Sequence, residues 1–158
     1  MLREKKDHPG VYVPPPLIYA IVFLFSVLVQ RWIPLSTSFF KTQTAMIIGL
    51  ILLATGLIFN IPALIQFIKT KNTIVTVKPA TSLQTSGIYR LTRNPMYVSL
   101  LLFYAGIAFF IGNWWTVLLL PLLILVITFY VIRHEEKYLE RSFGETYMEY
   151  KRRVRRWI

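Results

Sequence analysis

Two long runs without formal charge constrain this chain more than any other feature. No Asp, Glu, Lys, Arg or His lies between Lys41 and Lys69, and none between Arg93 and Arg133. A membrane-spanning helix needs about 20 predominantly apolar residues, and backbone polar groups in hydrocarbon are satisfied only within helices or closed barrels. Both runs are long enough, and the bias extends over the whole chain. Hydrophobic residues make up 55% of the 158 and charged ones only 16%, with a mean hydropathy of +0.53. An integral membrane protein of the all-α class follows, in one domain.

The boundaries come from breakers and caps. Residues 1–16, "MLREKKDHPGVYVPPP", form a polar, Pro-rich tail, and nothing after it looks like a small-residue leader cleavage site. A first helix is predicted from about Leu17 to Ile33, where Pro34 and "STS" stop it, and a second from Thr44 to Ile68. Asn60 and Pro62 predict a kink or a freed carbonyl in the second helix. Residues 69–94 read as a polar, extended, partly interfacial loop, with Thr/Val alternation and Pro79. The 39 residues from Asn94 to Ile132 exceed one span, and "GNWW" at 112–115 splits them into a helical hairpin. Four spans result, with Pro121 inside the fourth, where neighbouring helices re-satisfy the backbone.

Charge sets the orientation. The tail carries three Lys or Arg, residues 69–94 five and the C-terminal segment eight, whereas the first intervening loop has two and the hairpin turn none. Basic residues accumulate on the cytoplasmic side, so both termini are predicted there, in a cell-membrane protein. The net charge of +11 is then read as positive-inside bias and contact with anionic lipid, not as a nucleic-acid footprint. Absence of cysteine excludes disulfides, thiolate metal sites and cysteine nucleophiles. His8 and His134 are too few and too far apart to suggest a metal centre.

The C-terminal segment has Leu139, Phe143, Tyr147, Tyr150, Val154 and Trp157 at helical spacing, with Glu140, Arg141, Glu149, Arg152 and Arg156 opposite. This predicts an amphipathic cytoplasmic helix on the membrane surface, with a break at Gly144.

Two polar clusters flank the hairpin. In "GIYRLTRNPMY", Asn94 and Pro95 suit a helix cap and first turn, while Arg90 and Arg93 obey the basic-inside rule. A helix N-terminus beside two guanidinium groups also suits a carboxylate or phosphate. In "RHEEKYLERSFGETYMEY", Glu135 and Glu136 lie just below a span, where carboxylates are costly unless paired. They pair with Lys137 or Arg133 at the surface, or one receives a ligand's ammonium beside aromatic rings that hold a cationic or planar group. The hairpin brings the clusters to one level, which fits an amino-acid-bearing cofactor meeting an apolar substrate.

"TSGIYRLTRNPMY", an apolar hairpin and then "RHEEKYLERSFGETYMEYKRRVRRWI" together resemble the isoprenylcysteine carboxyl methyltransferase and phospholipid methyltransferase superfamily of integral membrane enzymes. The resemblance covers roughly residues 70–158, through Gly-x-Tyr, Arg-x-Pro-x-Tyr, Glu-Glu and Phe-Gly-x-x-Tyr in order. Residues 17–68, the first two helices, match only in kind, so the methyltransferase-like core is 69–158. What the resemblance implies is S-adenosylmethionine bound in a cytoplasmic pocket, with a lipophilic acceptor entering from the bilayer. Tyr89, Arg93, Asn94, Pro95 and Tyr97 match the first motif; Glu135, Glu136, Phe143, Gly144, Tyr147 and Tyr150 match the second. Asn94 stands where the family more often has histidine, and it cannot titrate near neutrality.

Methyl transfer from a sulfonium needs alignment and water exclusion more than it needs a base. No general base is assigned, and Arg133 or Arg153 is the expected contact to an anionic acceptor. The acceptor is expected to be an isoprenylcysteine-type carboxylate, with a lipid amine or small thiol as alternatives. Other readings are a nicotinamide-dependent membrane reductase, a four-helix transporter and a non-catalytic scaffold. The transporter lacks the mid-membrane ionisable residue it would need.

Overall fold

The computed structural model describes residues 8–70 and 82–158. The Thr/Val alternation of the loop and the basic residues Arg3, Lys5, Lys6, Lys71 and Lys78 lie outside them. The described residues are helical and contain no strand. Helix α1 is Pro15–Trp32 and α2 is Gln43–Lys69, with a 3-10 turn at Ser38–Lys41 between them. Another 3-10 turn, Gly87–Arg90, precedes α3, Pro95–Ile111. The chain then forms α4, Trp114–Leu118, α5, Leu120–Val126, a π-helical segment, Ile127–Ile132, and α6, Arg133–Arg153.

Helices α1 and α2 are long and apolar enough to cross a membrane, whereas α3 is a shorter apolar helix. A helix that formed the core of a soluble protein would be mostly buried, but only 22% of α1 and 17% of the α2 window are covered by protein. Their exposed faces carry Leu24, Phe25, Leu28, Leu50, Ile51 and Ile58, an apolar surface suited to lipid rather than to water.

The α2–α3 contact depends on small residues. A Cβ on Gly56 would lie 2.5 Å from the Phe103 ring, and one on Gly106 would lie 3.2 Å from the carbonyl oxygen of Gly49. Such close backbone approach is how helices gain dispersion energy where hydrophobic exclusion from water gives none. One polar pair joins the same face: the Asn60 side-chain amide donates to the Ser99 hydroxyl at 3.0 Å. Helix α2 is one continuous helix through Pro62.

The turn at "GNWW" has identifiable chemistry. Gly112 ends α3 with φ 73°, ψ 50°, a left-handed conformation that glycine adopts without the Cβ penalty. Asn113 then caps α4, accepting from the Trp115 N–H at 2.9 Å. Beside it, the Ser26 and Thr116 hydroxyls meet at 2.7 Å and tie α1 to α4.

The predicted fourth span is divided. Helices α4 and α5 are separated at Leu119, which has φ −85°, ψ −5°, one residue before the Leu120–Pro121 pair that opens α5. The N-terminal tail also differs from a free polar extension. Val11 is fully buried among Ile127, Val131 and Tyr19, and the Val13 N–H donates to the Tyr130 hydroxyl. The buried Val11 side chain and the Val13 hydrogen bond together anchor this end of the tail.

Helix α6 bends at Gly144, whose φ 52°, ψ −130° is accessible only to glycine. The predicted face of Leu139, Phe143, Tyr147, Tyr150 and Val154 packs against Ala63 and Phe67 of α2 and against Tyr89. Trp157 instead packs with the cluster containing Ile127 and Val131, because the helix ends at Arg153 and Val154 is extended. The last five residues therefore form a strap, in which Val154 still packs with the face and residues 155–158 leave it. Arg156, expected on the outer polar face, turns inward with it.

Candidate functional site

Three chain segments meet at the polar end: the turn 87–94, the first half of α6, and the strap 154–158. Arg93 N–H donates to the Arg155 carbonyl at 2.9 Å, and the Thr92 hydroxyl and Asn94 side-chain amide both donate to the Arg156 carbonyl. Pro95 opens α3 as expected, but Asn94 makes no side-chain cap. The strap carbonyl takes its amide instead. Trp157 fixes the far end of the strap by donating from its indole to the Thr128 hydroxyl at 3.2 Å.

Within this frame the two glutamates have different environments. Glu136 is held by two charge-assisted hydrogen bonds and an ion pair: Arg156 Nε and Nη2 donate to its two oxygens at 2.9 and 2.8 Å, and Arg93 Nη1 lies 3.0 Å from Oε1. Arg93 and Glu136 side chains are each only 8% exposed, so this ion cluster depends on pairing. Burial works against the charge of Glu136, but the Arg156 hydrogen bonds and the Arg93 and Arg156 charges prevail and hold its pKa below the ordinary value. The hydrogen bond to Glu136 in turn raises the pKa of Arg156.

Glu135 is partly buried and faces α3. The Tyr97 hydroxyl donates to its Oε1 at 2.7 Å, and this is the hydrogen bond it receives among the described residues. Burial pushes its pKa up to about 7; the Tyr97 hydrogen bond opposes this, and the Glu136 charge adds to it. Neighbouring carboxyls whose environments drive their pKa values apart are characteristic of sites that handle charge or protons.

Tyrosines complete the lining. The Tyr147 hydroxyl accepts from Arg93 Nη1 at 3.2 Å, and burial pushes its pKa up to about 12. Tyr150 donates to the Tyr89 carbonyl at 2.7 Å, and the Tyr89 ring stacks on Phe67. Two buried polar atoms here have no hydrogen-bond partner, Arg93 Nε and the Tyr89 hydroxyl. A buried donor left unpaired costs about 1–3 kcal/mol, and such orphans at one place suit a polar ligand.

The structure thus brings together Tyr89, Arg93, Asn94, Pro95, Tyr97, Glu135, Glu136, Tyr147 and Tyr150. Arg133 and Arg153 lie outside the cluster: the Arg133 guanidinium sits 4.1 Å over the Phe129 ring, and Arg153 pairs with Glu149 on an exposed surface. Arg156 is the site residue that sequence reasoning passed over. Nothing in "KRRVRRWI" marks it apart from its four basic neighbours. Among the described residues no group of three His, Asp or Glu is arranged to hold a metal.

The model of the phospholipid methyltransferase family matches residues 44–146, most of α2 through the first half of α6 and past the bend at Gly144. The chain belongs to that family. An uncharacterized protein of Haemophilus influenzae is 44% identical over 63 residues, 40% of this chain and all of that protein. The protein-S-isoprenylcysteine O-methyltransferase of Schizosaccharomyces pombe is 35% identical over 72 residues, 46% of this chain and 30% of that enzyme's length. No solved structure matches. Family membership and the exposed apolar helices together identify a methyltransferase-family protein of the membrane. The matched region carries both glutamates and the Arg93 turn but ends before the strap.

Proposed function

We infer that this chain transfers a methyl group from S-adenosylmethionine to a lipophilic acceptor at the basic face of the membrane. The observation that carries the reading is a polar cluster that holds a buried cation, Arg93, with an unpartnered Nε, against Glu136, next in sequence to Glu135, which has one oxygen free of hydrogen bonds among the described residues. A fixed cation for the carboxylate and a carboxylate for the ammonium match the amino-acid end of such a cofactor. The orphaned Tyr89 hydroxyl supplies a further polar contact. These residues fit the cofactor.

When bound, S-adenosylmethionine supplies an electrophilic methyl group on a sulfonium. This chain's part is to bind, orient and exclude water. Arg93 is held by Glu136 and Tyr147, so its position is set before ligand arrives, which lowers the ordering cost of binding. Arg133 and Arg153 enter this reading as contacts to an anionic acceptor from outside the cluster.

The proposed topology has four crossings with both termini cytoplasmic. It is supported by the asymmetric distribution of Lys and Arg and by the two long apolar helices. An acceptor carried in lipid then reaches the site laterally. An isoprenylcysteine-type carboxylate is the first acceptor to test, since the Schizosaccharomyces pombe relative is named for that reaction. A phospholipid amine is the second, since the family is named for it.

The test is transfer of labelled methyl from S-adenosylmethionine to each acceptor by the purified protein in lipid nanodiscs. Labelling of either lipophilic acceptor is expected. Turnover confined to polar soluble acceptors, with long-chain compounds neither reacting nor competing, would overturn lateral access.

A further inference from the structure

The strap lies beyond the stretch matched by the family model, yet it supplies the strongest contacts in the cluster. Its backbone is clamped on the turn before α3 by Arg93, Thr92 and Asn94, and its Trp157 is tied to Thr128. Between these two anchors the Arg156 guanidinium takes both oxygens of Glu136. A planar guanidinium gripping a carboxylate through two bonds fixes orientation as well as charge, which a lysine ammonium does not. With Arg93 on Oε1 as well, Glu136 already has partners on both oxygens. Glu135, on the other side toward α3, is bound only at Oε1, by Tyr97, among the described residues.

We propose that Arg156 is a positioning residue of the cofactor site: it locks Glu136 to Arg93 as a permanent structural anion, and so assigns the ligand's ammonium to Glu135. This deepens the methyltransferase reading and rests on it for the identity of the ligand. It divides the Glu-Glu pair into a carboxylate that sets Arg93 for the ligand's carboxylate and a carboxylate that meets the ammonium. The charged and titratable groups around Glu136 are Arg93, Arg156, Tyr147, Lys151 and Glu135; those around Glu135 are Tyr97, Tyr89 and Glu136.

Two measurements test it, one without ligand. Carboxyl titration of protein labelled with 13C at the glutamate side-chain carboxyls should show, in the wild type, a resonance titrating near neutrality that vanishes in Glu135→Gln. In Arg156→Gln a second resonance, from Glu136, should move up into the accessible range, and Arg156→Lys should move it only part of the way. The other measurement is calorimetric titration of full-length protein with S-adenosylhomocysteine, which keeps the amino-acid end of the cofactor. Glu135→Gln should weaken binding roughly 10- to 150-fold, the range for one lost charge-assisted hydrogen bond. Arg156→Gln should weaken it about 10-fold, with Arg156→Lys between it and the wild type.

An Arg156→Gln variant with wild-type affinity and an unmoved Glu136 resonance would overturn the proposal. So would a folded Glu136→Gln variant that loses far more affinity than Glu135→Gln, since the ammonium would then belong to Glu136. If Arg156→Gln does not fold, the Lys variant carries the same comparison. Absence of wild-type binding would overturn the cofactor reading and the ammonium assignment together, while the titration still decides whether Arg156 locks Glu136.

Discussion

The α2–α3 contact and the polar cluster at the end of α3 are both tightly packed, but different forces hold them. Between α2 and α3 the fit is one of shape: glycines at 49, 56 and 106 face Phe110, Phe103 and Leu53, with one polar pair, Asn60 and Ser99. In the polar cluster the fit is one of charge, with Glu136 shared by two arginines and backbone carbonyls of the strap taken by the turn. Shape tolerates small errors, because a ring or helix shifts by a few tenths of an ångström. A buried ion cluster does not, because removing one member strands the others. The cluster is therefore where a single substitution does most damage, and where a ligand gains most from groups already fixed.

The largest expected effect is from Glu136→Gln, which leaves the buried Arg93 and the half-buried Arg156 without their shared anion. Breaking a buried pair costs about 3–5 kcal/mol, to be read from reversible unfolding in mild detergent. A loss below 1 kcal/mol would mean that water already screens the cluster.

Next is Gly56→Ala on the shape-fitted side. The added methyl would lie 2.5 Å from the Phe103 ring, and overpacking of this kind costs about 1–3 kcal/mol. Pairing it with Phe103→Leu should restore part of the loss, whereas no neighbouring substitution restores Glu136→Gln so simply. Failure of that rescue would show that the backbone, not the ring, sets the spacing.

The two glutamates are then expected to give opposite pH dependences. For Glu135 the folded pKa is raised to about 7, so its contribution to stability is fully present below the unfolded carboxyl pKa and is lost as pH rises through about 7. For Glu136 the folded pKa is lowered, so its contribution is present above the unfolded value and is lost as pH falls through the folded one. Thermal unfolding between pH 4.5 and 8 should show wild type losing stability relative to Glu135→Gln as pH rises. Parallel curves would remove Glu135 from the account. The smallest effect is Arg153→Ala, which breaks an exposed i,i+4 pair with Glu149 and should change stability by less than about 1 kcal/mol.

The contrast also explains what could be read from the sequence. Helix α2 was legible because Lys41 and Lys69 bracket an uncharged run, and it ends at Lys69 in the structure. The turn at 112–113 was legible because Gly and Asn have conformational roles that do not depend on the rest of the fold. The face from Leu139 to Val154 was legible by spacing, although the sequence reading laid it on the membrane surface. It packs on α2 and Tyr89.

What escaped depends on register or on distance in the chain. The π-helical segment Ile127–Ile132 carries no compositional mark, yet it changes the face on which every later residue emerges. The division of Leu119 from Leu120 in the fourth predicted span is equally silent. Arg93 and the glutamates were found by residue type, but their pairing to one another was not, since Arg156 reaches Glu136 across 20 residues. The strap forms because helix α6 stops at Arg153, and the basic run around that point reads equally well as the outer face of a longer helix.

The measurement that tests the central claim most directly is calorimetric titration of S-adenosylhomocysteine into purified wild type, Arg93→Ala, Glu135→Gln and Arg31→Ala. Arg31 lies in the last turn of α1, away from the cluster. The account predicts binding by wild type and Arg31→Ala alike, with roughly 10- to 150-fold weaker binding by each cluster variant. Undiminished affinity in both folded cluster variants, or no binding by the wild type, would contradict it.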